Sequence, residues 1–321
     1  MRRLTRDQTS MFFDPSSTPV IEIDPGERLI VETRDSLCGL AKRVSPVGLD
    51  IDEVVDRLGG ACPVTGPIAV RGAESGMVLS VHLHRVQAIP DEGEGWTGII
   101  RGFGALSHDR YGIQEPLEPV TRLVPYGDGV ANFSLANGSN VAIPMRPFLG
   151  TIGVAPRWEK RMSFSQSVEY LGDVDLPQIT TGATLILPIN VPGALLSLGD
   201  AHAAQGDGEI TGAGIEIEAE AEISCQVLAP DDAGWIALPQ LNNLQSIGSI
   251  AAMEGNDLTH CARAAYRDLL QRLVRFYGFT MSEAYQVLGQ VGQLRVGNMF
   301  DPFYSVLASI DRCFLPDGPA T

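Results

Sequence analysis

The segment Gly199-Asp200-Ala201-His202-Ala203-Ala204-Gln205-Gly206-Asp207-Gly208-Glu209 gathers an imidazole and three carboxylates between glycines. In extended backbone, residues two apart share a face about 6–7 Å from one another. Asp200 and His202 can therefore converge on one ion or one water. An imidazole with a carboxylate suits zinc and leaves positions open for water and substrate. Asp207 and Glu209, turned back by two glycines, can complete the shell or serve as general base. The same residues also suit a solvated turn whose acids cap backbone amides, and the spacing alone leaves both readings open.

The elements that must position this loop are mostly strands. The apolar run Thr184 to Val191 leads towards it. From about residue 20 to 235 short strand-like runs alternate with Gly and Pro punctuation such as Asp24-Pro25-Gly26, Tyr126-Gly127-Asp128-Gly129 and Asn137-Gly138. Val78 to His84 alternates, with Leu79, Val81 and Leu83 on one face and Ser80, His82 and His84 on the other. His82 and His84 have a spacing that suits a metal, but a strand with one wet face carries such residues without one. Ile215 to Val227 alternates more strictly: apolar residues and Cys225 face one way, and Glu216, Glu218, Glu220 and Glu222 the other. That glutamate face is expected to meet solvent or a partner. A short helix is expected at Asp52 to Leu58. After Gly255 the period changes: Leu258, Cys261, Ala262, Ala265, Leu269, Leu273 and Val274 predict a helix to Tyr277 with Gly278 as its stop. Thr280 and Glu283 form a capping-box pattern opening a helix from Met281 to Gln290, and another short helix is expected over Phe303 to Cys313, before a Pro/Gly tail. Strands early and helices late make the fold class α+β, mainly β. A subdomain boundary near Pro156 would divide the chain into a β-rich part, 1–155, and a part carrying the loop and the helices, 156–321, if the two are not one integrated domain.

Composition excludes several functions. With 39 acidic against 23 basic residues the net charge is −16, which opposes nucleic acid and anionic lipid as partners. Neither a signal-peptide core nor an uninterrupted apolar span is found. Five scattered cysteines without a C-x-x-C pair favour reduced thiols and a cytoplasmic location. Gly93-Glu94-Gly95-Trp96-Thr97-Gly98 matches G-x-G-x-x-G but runs into a strand-like Ile99-Ile100-Arg101, where a dinucleotide site needs a helix. P-loop, nucleophile-elbow, nitrilase-type and Ser-Ser-Lys signatures are absent. Cys38 and Cys62 are conceivable nucleophiles, but nothing beside them in sequence would lower a thiol pKa. An activated water is favoured over a nucleophilic side chain.

Read as a whole, the chain resembles the acetamidase/formamidase family. The match is densest from Leu171-Gly172-Asp173-Val174-Asp175 through Thr180 to Pro188 and on to Gly208-Glu209. Pro63 to Glu74, Thr33-Arg34-Asp35, Gly150-Thr151-Ile152-Gly153-Val154-Ala155-Pro156 and Thr280 to Leu288 resemble further family blocks. The resemblance implies a β-sandwich-like core with an appended α+β part, a homo-oligomer, and a divalent metal, zinc foremost. It implies hydrolysis of short amides such as formamide and acetamide to carboxylate and ammonia. By position it points to Asp35, Asp175, Asp200, His202 and Glu209. In the resulting expectation His202 and Asp200, joined by Asp35 or else Asp175, hold the metal, and Glu209 and Asp175 are the catalytic carboxylates, able to exchange roles. The chain departs from the family where Asp173 stands in place of Asn, where Ala61-Cys62 precedes Pro63, and at Leu37-Cys38. Such changes bear on substrate choice. A lactamase or amidase for a cyclic or functionalised amide, a non-catalytic binding protein on the same scaffold, and a cysteine hydrolase are the rival readings.

Overall fold

Segments with a two-residue period form strands, and their apolar faces make the core. In the computed structural model, which describes residues 1–106, 117–235, 237–255, 257–300 and 302–316, Val78–Ala88 is one strand. Its Leu79, Val81 and Leu83 are buried, while Ser80, His82 and His84 are half-buried. Ala219–Leu228 lies antiparallel to it on one edge and Thr184–Pro188 on the other. Among the described residues, 22 strands join one mixed, curled sheet, and only Phe12–Phe13 and Arg161–Met162 pair apart from it. Its inward faces enclose a large apolar core running from Leu4 to Leu307. Gly93–Arg101, holding the literal G-x-G-x-x-G, is a strand throughout.

The mainly β, α+β architecture is the one expected. Ile51–Leu58 is helical, with the Asp50 side chain accepting from Asp52 N–H and Gly59 closing it in a left-handed conformation. Leu258–Tyr277 begins at Asp257, whose side chain accepts from His260 N–H, and stops at Gly278 with φ 73°. Thr280 and Glu283 form the capping box of Met281–Val291. The long helix lays Cys261, Ala265, Leu269 and Leu273 over the strands Ser246–Glu254 and Phe303–Asp311, making a second core. No helix is long and apolar enough to cross a membrane among the described residues.

Two expectations fail. Phe303–Asp311 is a strand, followed only by a single 3₁₀ turn at Arg312–Phe314. It is ladder-bonded on both edges, to Ser246–Glu254 and Gln293–Phe300. Val306, Ala308 and Ile310 face the helices while Leu307 faces the main core; burial on both faces hides the two-residue period. The glutamate face of the 215–227 run is likewise not solvated throughout. Glu216, Glu220 and Glu222 are buried; Glu220 pairs with Arg3 at 2.8 Å and Arg85 at 3.1 Å, and Glu222 with Arg28. The Pro/Gly tail lies outside the described residues.

Candidate active site

Four adjacent strands set the site. Leu196–Ala204 runs antiparallel to Phe148–Gly153, with Phe148 opposite His202 and Thr151 opposite Gly199. Thr151 is opposite Asp173 of Leu171–Asp173 on its far side. On the other edge of the Leu196–Ala204 strand, His202 is opposite Glu216 of Ile215–Ile217. Cross-strand neighbours on one face are the contacting unit of a sheet, so this register sets His202 beside Phe148 and Glu216 and sets Thr151 beside Asp173, while the left-handed backbone of Asp200 lets its carboxylate reach Thr151 as well.

Gly150 makes room for them. A Cβ built there would stand 2.4 Å from Asp175 Oδ1, 2.7 Å from Asp200 Oδ2 and 2.7 Å from His202 Cε1. The Gly150 carbonyl also accepts from Val174 N–H at 3.0 Å and Asp175 N–H at 3.2 Å, which turns Asp175 back towards the sheet. Asp175 has φ 47° and Asp200 φ 53°, a left-handed conformation that costs of order 1–3 kcal/mol for a non-glycine residue and collects at functional sites. Asn298 Nδ2 donates to Asp175 Oδ2 at 3.0 Å. Gln205 Nε2 donates to the Asp175 carbonyl at 2.7 Å. Asp175 Oδ1, Asp200 Oδ1 and His202 Nδ1 remain buried with no partner.

His202 is held from both sides. Its ring stacks on Phe148 with centroids 4.9 Å apart and planes 11° apart. Nε2 lies 2.9 Å from Glu216 Oε1 and 3.3 Å from Glu209 Oε1. Glu216 is itself anchored: Ser36 Oγ donates to it at 2.8 Å and Gly214 N–H at 3.0 Å. With the ring neutral, a proton on Nε2 serves Glu216, the nearer carboxylate, and leaves the Nδ1 lone pair free, the tautomer a metal-binding histidine takes when a carboxylate holds its other nitrogen.

Burial and mutual repulsion dominate the electrostatics. Burial, then Asp200, pushes the Asp175 carboxyl up to about 7. Burial pushes Asp200 up to about 6 despite the attraction of His202. Asp173 and Glu209 rise well above the usual carboxylate range, each through burial and then through Asp175. Burial disfavours the His202 imidazolium, but the charges of Glu216 and Asp200 and the hydrogen bonds to Glu209 and Glu216 together outweigh it and raise the histidine well above its ordinary value. Among the described residues no arginine or lysine pairs with Asp173, Asp175, Asp200 or Glu209. A buried anionic cluster without a cation needs protons or a metal.

The acetamidase/formamidase family model matches residues 4–171 and 162–302, nearly the whole chain. This chain belongs to the acetamidase/formamidase family. An acetamidase from Yersinia enterocolitica is 31% identical in sequence, with a TM-score of 0.84 over 97% of this chain and 92% of that one. An acetamidase from Bacillus halodurans is 27% identical, with a TM-score of 0.83 over 97% of this chain and 98% of that one. A Schizosaccharomyces pombe protein, itself only provisionally named a formamidase, is 27% identical over 251 residues, which span 64% of this chain and 60% of the relative. The family and these relatives support a hydrolase acting on linear amides.

Within this acetamidase/formamidase-family site, the structure brings together four of the five positions singled out by sequence. Asp175, Asp200 and His202 form one group of possible ligand atoms within 4.8 Å, and His202, Glu209 and Glu216 form another. Asp35 belongs to neither: its Oδ1 accepts from Leu37 and Gly39 N–H at 3.0 and 2.9 Å, bracing a turn. Asp207 also stays apart, paired with Arg295 at 3.1 Å. His82 and His84 bond Thr184 and Ser224 hydroxyls, each at 2.9 Å. Burial raises the Cys38 and Cys62 thiols, Asp35 adding to the effect at Cys38 and Asp173 at Cys62, so neither is a ready thiolate nucleophile. Glu216, Asn298 and Gly150 are the site residues that sequence reasoning missed, and Asp173 was marked only as bearing on substrate choice. Strict alternation marked Glu216 but assigned it to a wet face.

A cavity of about 860 Å³ adjoins the site, lined by Phe148, Gln178, Gln205, Gly214, Arg146 and Arg295 among others. A Cβ on Gly214 would lie 2.7 Å from His202 Cδ2, so the imidazole stands directly behind that wall. Gln178 and Gln205 each keep a buried Oε1 without a partner.

Proposed function

We propose that this chain hydrolyses short carboxamides of the formamide and acetamide type to carboxylate and ammonia, using a divalent metal, zinc foremost, and an activated water. The observation that carries this reading is the set of unpartnered buried atoms, Asp175 Oδ1, Asp200 Oδ1 and His202 Nδ1, around the space beside Gly150. One imidazole and two carboxylates suit zinc and leave positions for water and substrate. When bound, such an ion supplies a water of lowered pKa and polarises the amide carbonyl.

The chain's own residues would do the rest. Glu216 holds His202 Nε2 and fixes the ring. Asn298 holds Asp175 Oδ2 and leaves Oδ1 free. Glu209 is the general base and then acid: its carboxylate takes a proton from water as the C–O bond forms, and returns it to the amide nitrogen as the C–N bond breaks. Asp175 is the alternative carrier. Gln178 and Gln205 line the cavity beside the site, and their amide side chains are of a kind suited to a carboxamide. The scattered, unpaired cysteines suggest a cytoplasmic setting, and the family resemblance suggests a homo-oligomer.

The test is ammonia and product release from formamide, acetamide and a γ-lactam, with metal analysis, on the wild type and His202→Ala. Turnover of the linear amides, lost together with metal in the variant, supports the proposal. Unchanged metal content and turnover in His202→Ala overturns it. Turnover of the lactam alone favours the cyclic-amide reading. No turnover by metal-loaded protein favours the non-catalytic one.

A further inference from the structure

Cys62 and Asp173, far apart in sequence, stand together in space. Cys62 Sγ, an Asp173 carboxylate oxygen and an Asp200 carboxylate oxygen lie within 4.8 Å of one another. Cys62 is held there by its N–H donating to Ser36 O at 2.8 Å; the residue is partly exposed, while burial and the negative charge of Asp173, Asp200, Asp175 and Glu216 push its thiol up. Asp200 belongs both to this group and to the one with Asp175 and His202.

Asp173 and Asp200 lie in side-chain hydrogen-bond contact, so a proton or a cation must stand between the two carboxylates. Thr151 Oγ1 lies against Asp173 Oδ1 and also 3.2 Å from Asp200 Oδ2, yet a hydroxyl has one proton and can serve one of them. Asp200 is 2% exposed and its Oδ1 has no partner. A single divalent ion between Asp175, Asp200 and His202 is already balanced by two carboxylates. Asp173 and Cys62 then remain as donors with no cation of their own among the described residues.

We propose that Cys62, Asp173 and Asp200 form a second divalent-cation position, with Asp200 bridging it to the Asp175–Asp200–His202 position, for a thiophilic ion of the zinc type. Thiolate and carboxylate donors together suit zinc, and shared carboxylates are a feature compatible with paired ions roughly 3.5–4 Å apart. Four anionic donors, Cys62, Asp173, Asp175 and Asp200, balance two divalent ions. Loading is an exchange: the Cys62 S–H bond breaks, an S–metal bond forms and the proton leaves to solvent. The thiol is thus a ligand when metal is present, and a protonated, unreactive group when it is not.

The inference rests on the proposed amidase site only through the shared Asp200, and its readout is metal binding. Chelator-treated full-length protein is titrated with Co²⁺ alone, followed by near-ultraviolet thiolate-to-cobalt absorption and by metal content after gel filtration. The expected result is a thiolate band and two Co²⁺ per chain. Cys62→Ser should lose the band and keep one ion, Asp173→Asn should weaken the thiolate position at least about tenfold, and His202→Ala should keep the band. A cobalt-loaded wild type without a thiolate band overturns the proposal, and that measurement needs no variant to fold. A band that persists in Cys62→Ser and Cys62→Ala overturns it as well. A band saturating at one ion and surviving His202→Ala upholds the Cys62 position and removes the His202 one.

Discussion

Glu209 reaches His202 Nε2 at 3.3 Å from a backbone with φ 42°, and Glu216 reaches the same nitrogen at 2.9 Å from a regular strand. The two carboxylates therefore have separable tasks. Glu209→Gln should lower kcat by about 10²–10⁴-fold, the span of a lost general base, with metal content unchanged. Glu216→Gln should instead weaken metal binding about 10–100-fold, as loss of the group orienting a metal-bound histidine does, read by competition with a chelating dye. Gly150→Ala is the sharpest single change: its methyl would stand 2.4 Å from Asp175 Oδ1, so metal content and turnover should fall together while secondary structure by circular dichroism holds.

At the scale of elements, the strands carry the site and the long helix only supports the sheet behind it. Leu269 of Leu258–Tyr277 is fully buried against the second core, which contains none of the site residues. Leu269→Ala should cost about 2–5 kcal/mol of stability, measured by denaturant unfolding, and leave metal stoichiometry unaltered. The helices were legible because their ends carry chemical signals: Asp257, Gly278, Thr280 and Glu283 all act as their types suggest. The Phe303–Asp311 strand was not, because its two faces meet two different cores and no polar face reveals its period.

For the whole molecule, the net charge of −16 is concentrated inside as well as outside. Asp175 at about 7 and Asp200 at about 6 lie above their ordinary 3.8, so between about pH 4 and 7 the folded, metal-free chain holds protons that the unfolded chain has released. The stability these groups contribute is present below about pH 4 and is lost as pH rises through about 6 and then 7. Scanning calorimetry of chelator-treated protein should show Tm falling across that window. Adding Zn²⁺ should reverse the trend, with the larger Tm gain at pH 7.5 than at pH 5, because protons compete with metal for the same donors. A Tm that rises from pH 5 to 7.5 without metal would contradict the buried anionic cluster.

By itself, the sequence determined the family, the mainly β class, the helix ends and four positions that meet, Asp175, Asp200, His202 and Glu209. Each of these is written in local terms: a side-chain period, a capping residue, or an unbroken motif such as Gly199 to Glu209. Only the tertiary structure decided that Asp35 braces a turn, that Glu216 turns inward to His202, and that Cys62 and Asp173 lie beside Asp200. The places of Glu216 and Asp173 depend on strand register, which pairs Thr151 with both Asp173 and Gly199 and pairs His202 with Glu216. Register is set by the packing of the whole curled sheet, and a one-residue slip would turn every one of these side chains to the other face.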